Sequence, residues 1–256
     1  MNPISRDNFL FEERQQISRL SKNDAEYKKA AKDFLDRSID HKYSYQFDWL
    51  GRPIIQYPQD IVAVQELVFN IKPDLIIETG IAHGGTTVLY ASLLCLLDNL
   101  SGVDPRKSNS KVISIDIDIR EHNKQILQNH PLAFKYQLIE GSSISKKVIE
   151  QVHDEAKEYT KIMVMLDSNH THSHVLKELE AYSDMVSVGS YCVVFDTIIE
   201  NLPINTYPNR PWDVGDNPMT AIQFWLKENK NFVVDKEITD NLLISVAPNG
   251  YLKRLK

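Results

Sequence analysis

From Pro73 onward the chain repeats one pattern: a short apolar run, a turn, then a longer stretch with apolar residues at helical spacing. Short continuous apolar runs read as strands buried on both faces, and the stretches between them as helices. Residues 75–78, 112–116, 136–139, 162–166 and 191–195 are the predicted strands. Helices are predicted over 86–97, up to about residue 129, over 145–159 and over 174–182. Such β–α alternation predicts a parallel sheet covered by helices on both sides. The rhythm breaks after a long loop. A helix over 219–227 is followed by two strands with no helix between them, 232–235 and 242–246, expected as an antiparallel pair closing the sheet edge.

The start of the chain is patterned differently. Residues 8–35 are rich in Glu, Lys, Arg and Gln, with Phe9, Ile17, Leu20, Tyr27, Phe34 and Leu35 at near-helical intervals. They predict one or two amphipathic helices serving as a cap or as a contact in a homo-oligomer. An aromatic run from Tyr43 to Trp49 leads into residues 51–58, whose two prolines predict an extended connector. Asp60 is placed to cap a helix running to about Ile71. Residues 1–50 are therefore expected to form a helical appendage and residues 51–256 one α/β domain.

Composition narrows the class. With 42% hydrophobic and 25% charged residues, the chain is patterned as a soluble globular protein. No apolar run reaches a membrane-spanning length, and residues 1–7 lack the apolar core of a secretory signal. Cys95 and Cys192 fall in a predicted core helix and a core strand, which suggests buried thiols and a cytoplasmic setting. A net charge of −6 with no basic stripe argues against a nucleic-acid binder.

Ligands of open α/β sheets bind beyond the carboxyl ends of the strands, so the chemistry is sought there. After the first strand come Glu78, Gly80, Gly84 and Gly85, directly before a helix. Their spacing is neither G-x-G-x-x-G nor a phosphate-binding loop with Lys-Ser/Thr, so the turn is either a nucleotide contact or plain structure. Asp116 ends the second strand, where an acid can accept both hydroxyls of a ribose. Ser142 and Ser143 follow the third strand and suit an adenine edge or a helix N-cap.

The fourth and fifth strands end in Asp167 and Asp196. As neighbours they would face each other, and two buried carboxylates so placed call for a cation or a proton between them. Oxygen ligands suit Mg²⁺, Mn²⁺ or Ca²⁺. His170 lies three residues past Asp167, close to where a metal-bound hydroxyl would sit, and an imidazole suits a general base. His172 and His174 read as solvated residues at a helix entry, the alternative being a transition-metal cluster with His170.

Taken together, several segments resemble the cephalosporin hydroxylase and rhamnosyl O-methyltransferase group of class I SAM-dependent methyltransferases. The most specific are Asp167-Ser-Asn-His-Thr-His172 and Arg210-Pro-Trp-Asp-Val-Gly-Asp-Asn-Pro218; Gly51-Arg-Pro-Ile-Ile-Gln-Tyr-Pro58 and Glu78-Thr-Gly-Ile-Ala-His-Gly-Gly85 add to them. The resemblance covers the chain from about Trp49 onward. It implies a Rossmann-like, mostly parallel seven-stranded sheet with an antiparallel C-terminal strand. It also implies S-adenosylmethionine (SAM) on Glu78, Gly80, Gly84, Gly85, Asp116, Ser142, Ser143 and Asp167. Mg²⁺ or Mn²⁺ is implied on Asp167, Asp196 and Thr197, with His170 and Asp167 as catalytic residues acting on a sugar hydroxyl. One position departs: similar proteins often carry Glu-Asp where this chain has Phe195-Asp196, so water, Thr197 or Glu200 is expected to complete the shell. Methyl transfer to nitrogen or to a small phenol, and a non-catalytic SAM-binding role, are the competing readings.

Overall fold

The computed structural model describes residues 8–256 and starts with two helices, α1 (Asn8–Asn23) and α2 (Ala25–Asp40). Between them the Asp24 carboxylate accepts from the Tyr27 N–H at 2.9 Å and caps α2. A two-stranded hairpin follows, β1 (Phe47–Trp49) and β2 (Arg52–Ile54), and then α3 (Pro58–Ile71), which has proline at its start where no N–H is required. The alternating part runs β3 (Leu75–Thr79), α4 (Gly85–Leu100), β4 (Lys111–Asp116), α5 (Glu121–Gln128), β5 (Tyr136–Glu140) and α6 (Lys146–Ala156). It continues through β6 (Ile162–Leu166), α7 (His172–Tyr182) and β7 (Tyr191–Val194). The chain ends with α8 (Pro218–Glu228), β8 (Phe232–Val234), α9 (Lys236–Leu242) and β9 (Tyr251–Arg254).

Seven of these strands make one sheet in the order β5-β4-β3-β6-β7-β9-β8. The five strands from β5 to β7 are mutually parallel, and β9 runs antiparallel to both its neighbours. Successive strand residues feed two cores, because their side chains alternate between faces. Ile76, Met163, Met165 and Val193 pack with α3 and α4; Ile77, Ile113, Val164 and Cys192 pack with α6, α7 and α8. The chain turns one way from β3 to β4 and the other way from β6 to β7. The crevice where order reverses, between β3 and β6, is the usual ligand site of such sheets.

Three expectations are corrected. Residues 51–58 are not a simple extended connector: Phe47 pairs with Ile54 and Trp49 with Arg52 across a turn at Leu50 and Gly51. Residues 242–246 are not a strand either. Leu242 ends α9, and the strand beside β7 is β9, which enters through Gly250. A Cβ on Gly250 would lie 2.1 Å from the Val194 carbonyl oxygen, so this entry needs glycine.

Asp60 explains the displacement. It does not cap α3, whose N-cap position is Tyr57. Its buried carboxylate instead accepts from the Ser245 hydroxyl at 2.6 Å, the Tyr251 hydroxyl at 2.7 Å and the Val246 N–H at 2.9 Å. These bonds hold residues 245–247 against α3 and away from the sheet edge. Helix α1 lies on α9, with Ser18 donating to Asn241 at 2.6 Å and Lys22 3.4 Å from Asp240. Cys95 and Cys192 are both free thiols. Among the described residues no helix is long and apolar enough to cross a membrane.

Burial raises the Asp60 pKa from 3.8 to about 6, against the three hydrogen bonds that lower it. Between those values the folded chain binds more protons than the unfolded one, so this residue's contribution to stability should decline as pH rises from about 4 to 6 and then level off. Urea unfolding across that range should show a flatter pH dependence for Asp60→Asn than for wild type. Parallel curves would assign the effect elsewhere.

Candidate active site

The crevice is built by backbone first. Past the ends of β3 and β6 the pairing continues, with the Asp167 N–H donating to the Thr79 carbonyl at 2.9 Å and the Gly80 N–H to Ile115 at 2.8 Å. Gly80 takes a φ of +91°, and a Cβ there would lie 2.1 Å from the Asp167 carbonyl oxygen. Only glycine lets the two strand ends approach so closely. Gly85, opening α4, is similarly crowded by the Pro53 carbonyl of the hairpin, 2.4 Å from its would-be Cβ.

The loop between these glycines is clamped from outside. Arg52 donates to the His83 carbonyl at 2.8 Å through Nε and at 2.5 Å through Nη2, and its Nη2 also reaches Asn123 Oδ1 at 2.8 Å. Asn123 in turn donates to the Ala82 carbonyl at 3.0 Å. Arg52 and Asn123 are positioning residues that reading by composition and spacing did not single out, although Arg52 lies within a segment that carried the family resemblance. Asp116 closes the loop from the sheet side, accepting from the N–H groups of Ile81 at 2.8 Å and Ala82 at 3.2 Å. A carboxylate has about four lone-pair sites, so Asp116 keeps acceptor capacity beyond these bonds and the one from Asp118.

Glu78 lies beneath the loop, fully buried, and ties β3 to α4 and β4. It accepts from Thr86, from Thr87 at 2.6 Å and from Ser114 at 2.5 Å. Burial raises its pKa to about 7. Ser143 is also buried, and its hydroxyl donates to Glu178 at 2.6 Å. Ser142 is half-buried in the same turn. Neither Glu78, Ser142 nor Ser143 lines the main cavity, whereas Gly80, Gly85, Asp167, His170 and Asp196 do.

That cavity, about 720 Å³, extends from the glycine loop to the ends of β6 and β7. Its volume falls in the range of small-molecule sites, roughly 300–1,000 Å³. At its far end Asp167, His170 and Asp196 each offer a ligand atom, all within 4.8 Å of one another. His170 Nε2 stands 3.0 Å from Asp196 Oδ2, and its ring meets the Trp212 ring edge-on with centroids 4.7 Å apart. Gln56 donates to Asp167 Oδ2 at 3.0 Å. Burial, then the nearby Asp196 and Glu78 carboxylates, push the Asp167 pKa well above the usual carboxylate range. The two carboxylates so arranged form a hard oxygen-donor set fitting Mg²⁺ or Mn²⁺, with the His170 imidazole beside them.

Asp196 sits in the left-handed region, φ +55°, at a cost on the order of 1 kcal/mol. The next residues hold it there. The Thr197 hydroxyl donates to the Pro248 carbonyl at 2.7 Å and the Ile198 N–H to Val246 at 3.1 Å. Thr197 is fully buried, its hydroxyl is already engaged, and it does not line the cavity. Glu200 is engaged by the Gly215 N–H at 2.9 Å and the Asn217 amide at 2.5 Å, fixing the loop that carries Trp212. Phe195 is buried in the core on the α3 and α4 side of the sheet.

The other two histidines are not solvated as expected, and the three do not cluster. His172 Nδ1 lies 2.8 Å from the Thr220 hydroxyl, and its N–H donates to Asp216 at 2.7 Å. His174 Nε2 contacts the hydroxyls of Ser143 at 3.1 Å and Ser168 at 3.2 Å, beside the buried Glu178. Residues on α8 and past β5 cover both rings, a placement visible only once the strands are ordered.

Known proteins resemble this chain in sequence or in fold. The rhamnosyl O-methyltransferase of Mycobacterium tuberculosis is 29% identical over 197 residues, which are 76% of this chain and 73% of that protein. Its counterpart in Mycobacterium leprae is 26% identical over 208 residues, 80% of this chain and 82% of that one. A structure of CmcI with Mg and SAM superposes with a TM-score of 0.56 at 16% identity, covering 83% of this chain and 78% of that one, a likeness of fold. Residues 41–255 match the family described as rhamnosyl O-methyltransferase/CmcI, and the chain belongs to that family.

Proposed function

We propose that the protein transfers the methyl group of SAM to a hydroxyl of a sugar-containing acceptor, assisted by Mg²⁺ or Mn²⁺. The observation that carries this reading is the convergence of Asp167, His170 and Asp196 in a cavity that the glycine loop also lines. The mycobacterial relatives are rhamnosyl O-methyltransferases by name, which supports a sugar acceptor. The non-catalytic reading rested on Phe195; against it, the three-residue cluster is intact without a carboxylate at that position.

The glycine loop from Gly80 to Gly85 would lie against the cofactor, and Asp116 would receive its ribose hydroxyls with the acceptor capacity left beside its loop bonds. Ser143, whose hydroxyl is taken by Glu178, would serve only by shaping the turn that it shares with Ser142. Glu78 serves from below by fixing the loop. When bound, SAM supplies an electron-poor methyl group, and the cation on Asp167 and Asp196 makes the acceptor hydroxyl more acidic. His170 takes the proton of that hydroxyl, and the charged ring then lies against the Asp196 carboxylate. Trp212 fixes the ring's orientation by its edge-on contact. Helix α2 and the segment to Tyr45 close the cavity as a cap, through Leu35, Ser38 and Tyr45.

Three outcomes follow from these roles. Asp116→Ala should weaken SAM binding about ten-fold or more by losing a charge-assisted contact, as titration calorimetry will show; unchanged affinity would move the ribose elsewhere. Asp167→Asn and Asp196→Asn should each abolish the recovery of chelated enzyme by added Mg²⁺, whereas wild type recovers fully. His170→Ala should lower turnover by about 10²–10⁴-fold, followed as labelled methyl transfer to a panel of sugars, while SAM affinity stays close to wild type. Near wild-type turnover in that variant would make His170 structural.

A further inference from the structure

Two cations reach the cavity with no acid to neutralise them. Lys42 follows α2 in a left-handed backbone conformation, φ 48°, and Arg210 stands on the loop before α8; both line the cavity. Among the described residues neither side chain is in an ion pair or a hydrogen bond. The acids of the Arg210 loop are turned elsewhere. Asp213 accepts from the N–H groups of Asn205 and Val214, and Asp216 from that of His172. Glu200 is held by Gly215 and Asn217.

The charges within the cavity do not supply a partner either. Asp167 and Asp196 are matched by one divalent cation, and SAM carries a net positive charge of its own. The bound cavity is therefore positive inside a chain whose net charge is −6. An arrangement of that kind concentrates anions. We propose that the acceptor sugar itself bears an anionic group, a phosphate or a carboxylate, which Arg210 and Lys42 bind. The inference rests on the sugar O-methyl-transfer reading above and names the chemistry of its acceptor.

Geometry places the anion close to the reacting hydroxyl. The Arg210 guanidinium lies over the Trp212 ring, 5.1 Å from its centroid, and the same ring touches His170. One indole therefore separates the anion-binding group from the general base, a span comparable to one sugar ring. The anionic group sits on the sugar that is methylated, or on the atom joined to it, rather than on a remote part of a glycan. Arginine suits both candidates, since its planar fork matches phosphate and carboxylate oxygens alike. Tyr45 and Tyr207 also line the cavity.

Calorimetry on the full chain, saturated with S-adenosylhomocysteine and Mg²⁺, tests this with three probes: α-L-rhamnose 1-phosphate, methyl α-D-galacturonoside and neutral methyl α-L-rhamnoside. At least one anionic sugar should bind about ten-fold or more tightly than the neutral one, and the better of the two identifies phosphate or carboxylate as the natural group. The preference should shrink in Arg210→Gln and in Lys42→Gln and vanish in the double variant, with S-adenosylhomocysteine affinity retained as the control for folding. Equal affinities, no binding of any probe, or a preference that survives the double variant would overturn the inference. So would a Lys42→Gln variant that loses S-adenosylhomocysteine affinity while keeping the sugar preference. Product mass after incubation with SAM tests the underlying reading separately: an anion preference without methylation would uphold the acceptor's charge and refute the transfer.

Discussion

Two carboxylates that repel each other sit at the ends of adjacent parallel strands, and much of the architecture keeps them there. Val164 of β6 pairs with Cys192 of β7 and Leu166 with Val194, so the chain leaves both strands at the same level. One further pairing, Phe195 N–H to the Leu166 carbonyl at 2.9 Å, sets Asp196 beside Asp167. Left alone, the pair would splay or take up a proton. Instead Gly80 pins the Asp167 backbone from one side, and the Thr197 and Ile198 contacts to residues 246–248 pin Asp196 from the other. On the function proposed above, the repulsion is retained as affinity for a positive ion.

This restraint reaches far from the crevice. Ser245 and Val246 are themselves held by the Asp60 carboxylate in α3, so a buried acid near the start of the domain supports the segment against which Asp196 is pinned. The hairpin acts likewise on the glycine loop through Arg52 and Asn123. Both supports use charged groups in places with almost no water, where each polar atom must find a partner or cost 1 kcal/mol or more. Such groups are tolerated because their hydrogen bonds are nearly complete, as at Glu78 with its three hydroxyl donors.

The sheet was legible in the sequence because its strands are buried on both faces and so appear as unbroken apolar runs. The strand ends, and with them Asp167, Asp196 and His170, were legible for the same reason. The hairpin was not. Its turn takes positive φ at Leu50 and Gly51, a two-residue geometry usually written Asn-Gly, and leucine at the first place hides it. Residues 242–246 read as a strand by composition, yet the deciding contact comes from Asp60, far away in the chain. The same holds for Thr197 and Ser143, whose hydroxyls are taken by Pro248 and Glu178. Residue type announces a capacity to bond, while the partner is a property of the assembled layers.

Phe195 shows the same dependence on the assembled layers. Its side chain belongs to the packing between sheet and helices, not to the shell around the ion. A glutamate introduced there alone would bury an unpaired charge before it could serve any metal. Exchange of phenyl for carboxylate at this position therefore costs stability unless the surrounding core changes with it.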